Sequence, residues 1–174
     1  GTVHDGNCNI SLGTSGTIFI ASSCFRNLSC EGIHNFAHAN GAYHLMGCML
    51  SAASCNKWLY ENIFKTEDYE GEQTAISLEK LGKNNVFFLP YLMGERSPVN
   101  DTDARGSFIG MTMDTSREDI VQAVLEGVSF ALKDSIEAVK AAGVKIERSR
   151  VCGGGAKSGL WLKILANILN CPLE

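Results

Sequence analysis

Two glycine-rich stretches carry the residue types best suited to gripping a ligand through the main chain. The first, Gly153-Gly154-Gly155-Ala156-Lys157-Ser158-Gly159, follows a short extended run and precedes Leu160, Trp161, Ile164, Leu165 and Ile168, which recur at helical spacing. A strand, a bare turn and a helix are therefore predicted, with Ser158 as the helix cap. Glycine removes the side chains that would keep a planar or anionic ligand off the backbone, and a helix start presents unpaired N–H groups at the positive end of its dipole. Gly153, Gly154, Gly155 and Ser158 are thus candidate nucleotide-binding residues, although a ligand-free tight connection leaves the same pattern. In the second stretch, Gly13-Thr14-Ser15-Gly16, backbone N–H and hydroxyl donors are exposed together, an arrangement suited to phosphate oxygens. Gly13, Thr14 and Ser15 join the candidate list, with a plain hairpin turn as the alternative.

Neither stretch is one of the better-known glycine motifs. A P-loop requires glycine where Ala156 stands ahead of Lys157-Ser158, and a second glycine where Val151 stands. A dinucleotide fingerprint requires an acidic residue some twenty positions further on, and the sequence ends at Glu174. Elsewhere, Glu95, Arg96, Asp103 and Arg105 crowd a loop between apolar segments, where they are expected either to pair as ions or to contact a ligand. His34, His38, His44 and Cys48 have the chemistry of zinc ligands. A two-residue Asn40-Gly41 turn would pair His38 with Tyr43 and His34 with Gly47, placing His34 and His38 on one face and His44 with Cys48 on the other, which argues against a metal site.

These groups must be held by regular structure. Residues 7–12 and 17–21 read as the arms of a β-hairpin, and Asn40-Gly41 marks a second. A helical pattern runs over residues 51–64, an acidic loop over 67–73 and a short helix over 74–81. Residues 86–89 form an apolar run stopped by Pro90, and residues 106–111 a further strand. Thr115 and Glu118 suggest a capping box opening a long helix, whose stripe of Val121, Val124, Leu125, Val128, Leu132, Ile136 and Val139 ends before Gly143. Hairpins followed by alternating helices and strands point to an α/β fold, a mixed sheet with helices packed on it.

Composition narrows the function classes. A chain of 174 residues is long enough for one domain, burying about 70% of its unfolded surface. A formal charge of −4 and the lack of any basic run argue against nucleic acid as a partner. Seven cysteines without a paired spacing suggest reduced thiols and a cytoplasmic protein, and no apolar run is long enough to imply a membrane partner.

In order along the chain, Asn9-Ile10-Ser11-Leu12-Gly13-Thr14-Ser15-Gly16, Leu89-Pro90-Tyr91-Leu92-Met93-Gly94-Glu95-Arg96-Ser97-Pro98, Asp103-Ala104-Arg105-Gly106 and Gly153-Gly154-Gly155-Ala156-Lys157-Ser158-Gly159-Leu160-Trp161 resemble the C-terminal part of the FGGY family of carbohydrate kinases. Residues 106–111 and 119–126 resemble its second signature. The resemblance implies an actin-like, ribonuclease-H-type fold, ATP with Mg²⁺ as cofactors, and transfer of the γ-phosphoryl group to a ketopentose, D-xylulose being favoured by Glu95-Arg96-Ser97-Pro98. It places Gly13, Thr14 and Ser15 by the phosphates and the stretch from Gly153 to Ser158 by the adenosine. It also implies that the catalytic aspartate precedes Gly1 and that a last strand and helix follow Glu174; Asp5, in an unmatched setting, is not assigned that role. On this reading residues 1–174 are a single C-terminal kinase domain, inactive alone. The alternatives are another sugar or polyol as substrate, or a non-catalytic actin-like module that binds nucleotide. Apolar residues near the two chain ends leave a homodimer open.

Overall fold

The computed structural model describes residues 2–174. Its main sheet joins β1 (Cys8–Leu12), β2 (Gly16–Ser22), β3 (His34–Ala37), β4 (Tyr43–Met49) and, far along the chain, a strand at Ser149–Cys152. Between β4 and that last strand come α1 (Ala53–Lys57), continued as a π-helical stretch over Trp58–Phe64, then α2 (Tyr69–Thr74), β5 (Phe87–Leu89), β6 (Ser107–Ile109) and α3 (Arg117–Ala141). The strand at Ser149–Cys152 is β7, and α4 (Gly159–Leu169) follows it. Strand order is β3-β4-β2-β1-β7, with β3, β4, β2 and β1 successively antiparallel and β7 parallel to β1. Residues 172–174 run beside β7, Ser149 N donating to the Pro172 carbonyl at 3.0 Å and Val151 N to that of Glu174 at 3.1 Å.

Period-two alternation explains which side of the sheet is covered. Ile10, Leu12, Ile18, Ile20, Leu45 and Met49 are buried on one face, where the apolar stripe of α3 lies across β2 and β4. Helix α4 packs on α3 through Trp161, Ile164, Leu165 and Leu169. The indole N–H of Trp161 donates to the Leu125 carbonyl at 3.1 Å and to the Ser129 hydroxyl at 3.2 Å, so this bulky side chain is sealed in with its polar atom satisfied.

Several elements differ from the sequence expectation for identifiable reasons. The Asn40-Gly41 hairpin closes through a longer turn: Gly41, at φ +85°, donates to the His38 carbonyl, and His38 N to that of Ala42. Pairing therefore slips by one residue, to Ala37 with Tyr43, Phe36 with His44 and His34 with Met46. This slip overturns the two-face argument for the histidines, because His34, His38 and His44 now share a face. There they pack with rings: Phe19 stacks on His44 with centroids 4.2 Å apart, and Phe36 at 5.4 Å. Burial, and then the charge of His38, lower the His44 pKa.

The capping box is Ser116 with Asp119, one residue beyond Thr115 and Glu118, because the Thr115 hydroxyl already accepts from Thr112 N. The acidic stretch expected as a loop contains α2, started by Asp68, whose carboxylate accepts from Gly71 N at 2.8 Å. Only a 3₁₀ turn, Leu78–Lys80, forms where the short helix is expected. Glu72 of α2 takes a two-pronged grip from Arg117, which also lies over the Phe64 ring. Strands β5 and β6 pair only with each other, outside the main sheet.

Candidate nucleotide site

The parallel pairing of β1 with β7, in which Ser11 faces Cys152, brings the two glycine bends to the same edge of the sheet. Each begins where its strand ends. Gly153 adopts φ 96° and ψ 177°, and a Cβ there would stand 2.6 Å from the Leu12 carbonyl oxygen and 3.0 Å from Gly13 N. The turn after β7 thus lies directly against the last residue of β1 and the first of the hairpin tip.

The three glycines of that turn answer to different constraints. Gly153 occupies backbone space that side-chain-bearing residues avoid. Gly155 is pressed between neighbours, since a Cβ would come within 2.9 Å of both Leu12 Cβ and the Trp161 ring. Gly154 has no atom within 4 Å of that position and no left-handed φ. Its bare backbone faces open space above a packed floor. A 3₁₀ turn, Gly154–Lys157, leads into α4, where Ser158 is the cap, its hydroxyl accepting from Trp161 N at 3.0 Å. The same hydroxyl donates to Gln73 of α2, so Ser158 is committed to holding the turn.

The hairpin tip is braced by the chain leaving β4. The Thr14 carbonyl accepts from Ala52 N at 2.9 Å and from the Ser54 hydroxyl at 2.8 Å, and the Gly13 carbonyl accepts from Ala53 N at 2.8 Å. The Ser15 hydroxyl donates to the Leu50 carbonyl at 3.2 Å, which leaves that of Thr14 as the tip's uncommitted hydroxyl. With these carbonyls turned inward, the N–H groups of Thr14 and Ser15 meet no acceptor among the described residues, nor do those of Gly154 and Gly155. The edge therefore combines unpaired donors at the tip with a flat, side-chain-free surface at the turn. An anionic group suits the first and a planar ring the second.

Other candidates lie elsewhere. Asp5 accepts from Ser23 N at 2.6 Å near the start of β1, the length of that strand away from the tip, roughly 17 Å. No ion pair forms among Glu95, Arg96, Asp103 and Arg105: Glu95 accepts from backbone N–H groups and Arg105 donates to the Thr102 and Ala104 carbonyls. That corrects the expected network; the loop is shaped by side-chain bonds to backbone, both its own and that of Leu50. Among the described residues no group of three or more His, Cys, Asp or Glu side chains is placed to hold a metal ion by itself; Mg²⁺ bound with nucleotide phosphates asks for only one or two carboxylates. Gln73 and the segment 50–54 escaped the sequence reading, since nothing in their types signals contact with either bend.

Four antiparallel strands joined to a parallel one, with helices on the core face and a glycine bend at the end of each of two neighbouring strands, make up an actin-like ATPase fold. Residues 8–174 match the model of the FGGY family of carbohydrate kinases, C-terminal domain, and the chain belongs to that family. It is 38% identical to a xylulose kinase of Escherichia coli over its whole length, covering 36% of that protein. A xylulose kinase structure from Brucella ovis superposes with a TM-score of 0.91 at 40% identity, over 99% of this chain and 35% of that one. The glycerol kinase of Plasmodium falciparum, solved with ADP, superposes with a TM-score of 0.83 at 25% identity, over 99% of this chain and 35% of that one. The chain thus spans about a third of the length of the relatives it matches.

Proposed function

We propose that this chain is the nucleotide-binding part of an ATP-dependent kinase that transfers the γ-phosphoryl group of ATP to a primary hydroxyl of D-xylulose. The observation that carries the nucleotide assignment is the contact between the two bends: Gly153 against Leu12 and Gly13, at the common edge of β1 and β7. On this reading the adenosine lies over Gly154, and the phosphates meet the N–H groups and the Thr14 hydroxyl of the tip. The family supports a sugar kinase, and the xylulose kinases among its relatives favour D-xylulose. Phosphoryl transfer is largely a matter of placing the phosphates and neutralising developing charge, which is what a rigid, donor-rich tip supplies. No base is assigned within the chain, because Asp5 lies at the wrong end of β1. On the same reading Mg²⁺ would enter with ATP and neutralise phosphate charge. Seven free thiols suit a reducing cytoplasm, where we place the protein. No helix is long and apolar enough to cross a membrane among the described residues.

The test is steady-state phosphoryl transfer by the full-length protein with ATP and D-xylulose, L-ribulose, glycerol or gluconate. The highest kcat/KM is expected with D-xylulose, and this chain alone is expected to bind nucleotide without turnover. A preference for another acceptor overturns the sugar assignment; nucleotide binding without transfer to any acceptor favours a non-catalytic module.

A further inference from the structure

We propose that Glu95 is a positioning residue for the phosphate end of the site, acting through Leu50 and Ser15; the inference rests on the reading of the hairpin tip as the phosphate contact. Glu95 is 2% exposed, and no cation pairs with it among the described residues. A buried carboxylate without a counter-charge is costly, so its retention asks for a role that an apolar side chain lacks. One oxygen, Oε1, accepts from Leu50 N at 3.0 Å and from Arg96 N at 2.6 Å. Its own backbone is fixed, Glu95 N donating to the Asp101 carbonyl at 2.8 Å and Asp101 N to that of Glu95 at 2.9 Å. Beside it, Ser97 N donates to the Cys48 carbonyl at 3.1 Å and the Ser97 hydroxyl to that of Gly32 at 2.6 Å.

Glu95 is therefore an anchored post, and the chain leaving β4 is tied to it. The residue tied there, Leu50, presents its carbonyl to the Ser15 hydroxyl. Two positions later the same segment begins donating to the Thr14 and Gly13 carbonyls. Losing the carboxylate leaves the half-buried Leu50 N–H without its acceptor and loosens the bonds by which residues 50–54 hold the tip. The tip's N–H groups then lose their fixed placement.

The experiment is a double-mutant cycle in the full-length protein, reading the Kd for a non-hydrolysable ATP analogue, KM for ATP and for D-xylulose, and Tm. Glu95→Ala is expected to weaken the analogue about tenfold and to raise KM for ATP with KM for D-xylulose unmoved. Glu95→Gln, which keeps an oxygen for both N–H groups, is expected to restore affinity to within about twofold of the parent. Ser15→Ala is expected to weaken binding severalfold, and Glu95→Ala with Ser15→Ala to be no weaker than Glu95→Ala alone. If Glu95→Ala does not fold, Glu95→Asp, one methylene short of Leu50, takes its place in the cycle. A lowered Tm with unchanged analogue affinity, or losses that simply add, overturns the proposal and leaves Glu95 a stability residue. Absence of analogue binding by the parent sinks the function reading itself, and this inference with it.

Discussion

The turn after β7 is held from beneath by packed side chains, whereas the tip between β1 and β2 is held from the side by hydrogen bonds from residues 50–54. Beneath the turn lie Leu12 and Trp161, the latter only six residues beyond Gly155 and locked to α3 by its indole N–H. The tip relies on residues 50–54 and, through Leu50, on Glu95. One half of the edge is thus built mainly from side-chain packing and the other from hydrogen bonds to backbone carbonyls. The difference teaches where each can be broken: volume changes should damage the turn, and lost acceptors should damage the tip.

The hardest blow to the turn is Trp161→Ala. It empties the floor below Gly155 and removes the indole donor shared by the Leu125 carbonyl and the Ser129 hydroxyl, with an expected loss of about 3–5 kcal/mol in urea unfolding. Next is Gly153→Ala, which forces a Cβ to within 2.6 Å of a backbone oxygen at a φ of +96°. Backbone cannot swing aside, so a loss of about 1–3 kcal/mol is expected in the same measurement. If Gly153→Ala is as stable as the parent, the turn and the tip do not lie as closely as this edge requires.

That contrast also explains what is legible in the sequence. The turn reads well because strand, glycines, Ser158 cap and apolar helix face are all consecutive, and Ser158 does cap α4. The sheet is foreseeable from alternation, and the helix over residues 117–141 from its stripe. Choices between neighbouring, chemically similar residues are not: Thr115 and Ser116 each have an acid three positions on, and only the bond from Thr112 N to Thr115 decides between them. Asn40-Gly41 likewise serves a two-residue or a longer turn, and one residue of register moves His44 to the other face. Contacts across sequence leave no trace at all. Gln73 meets Ser158 from 85 positions away and Glu95 meets Leu50 from 45, each chosen by topology.

The smallest effect is the most discriminating, because it separates what the protein needs from what a ligand needs. A methyl at Gly154 meets no atom within 4 Å, and at Gly13 it meets only the Ser15 carbonyl at 3.4 Å and the Ser11 hydroxyl at 3.8 Å, ordinary contacts. Neither residue has a left-handed φ. Gly154→Ala and Gly13→Ala should therefore leave stability within about 0.5 kcal/mol of the parent. Yet each methyl enters the space assigned to nucleotide, at opposite ends, and should weaken ATP by about 1 kcal/mol, roughly fivefold. Competition tells the ends apart. With adenosine and inorganic tripolyphosphate as separate inhibitors of the full-length protein, Gly154→Ala should raise the inhibition constant for adenosine alone, and Gly13→Ala that for tripolyphosphate alone. Equal losses for both inhibitors in both variants would mean that turn and tip respond as one surface, and the division of labour between them would fall.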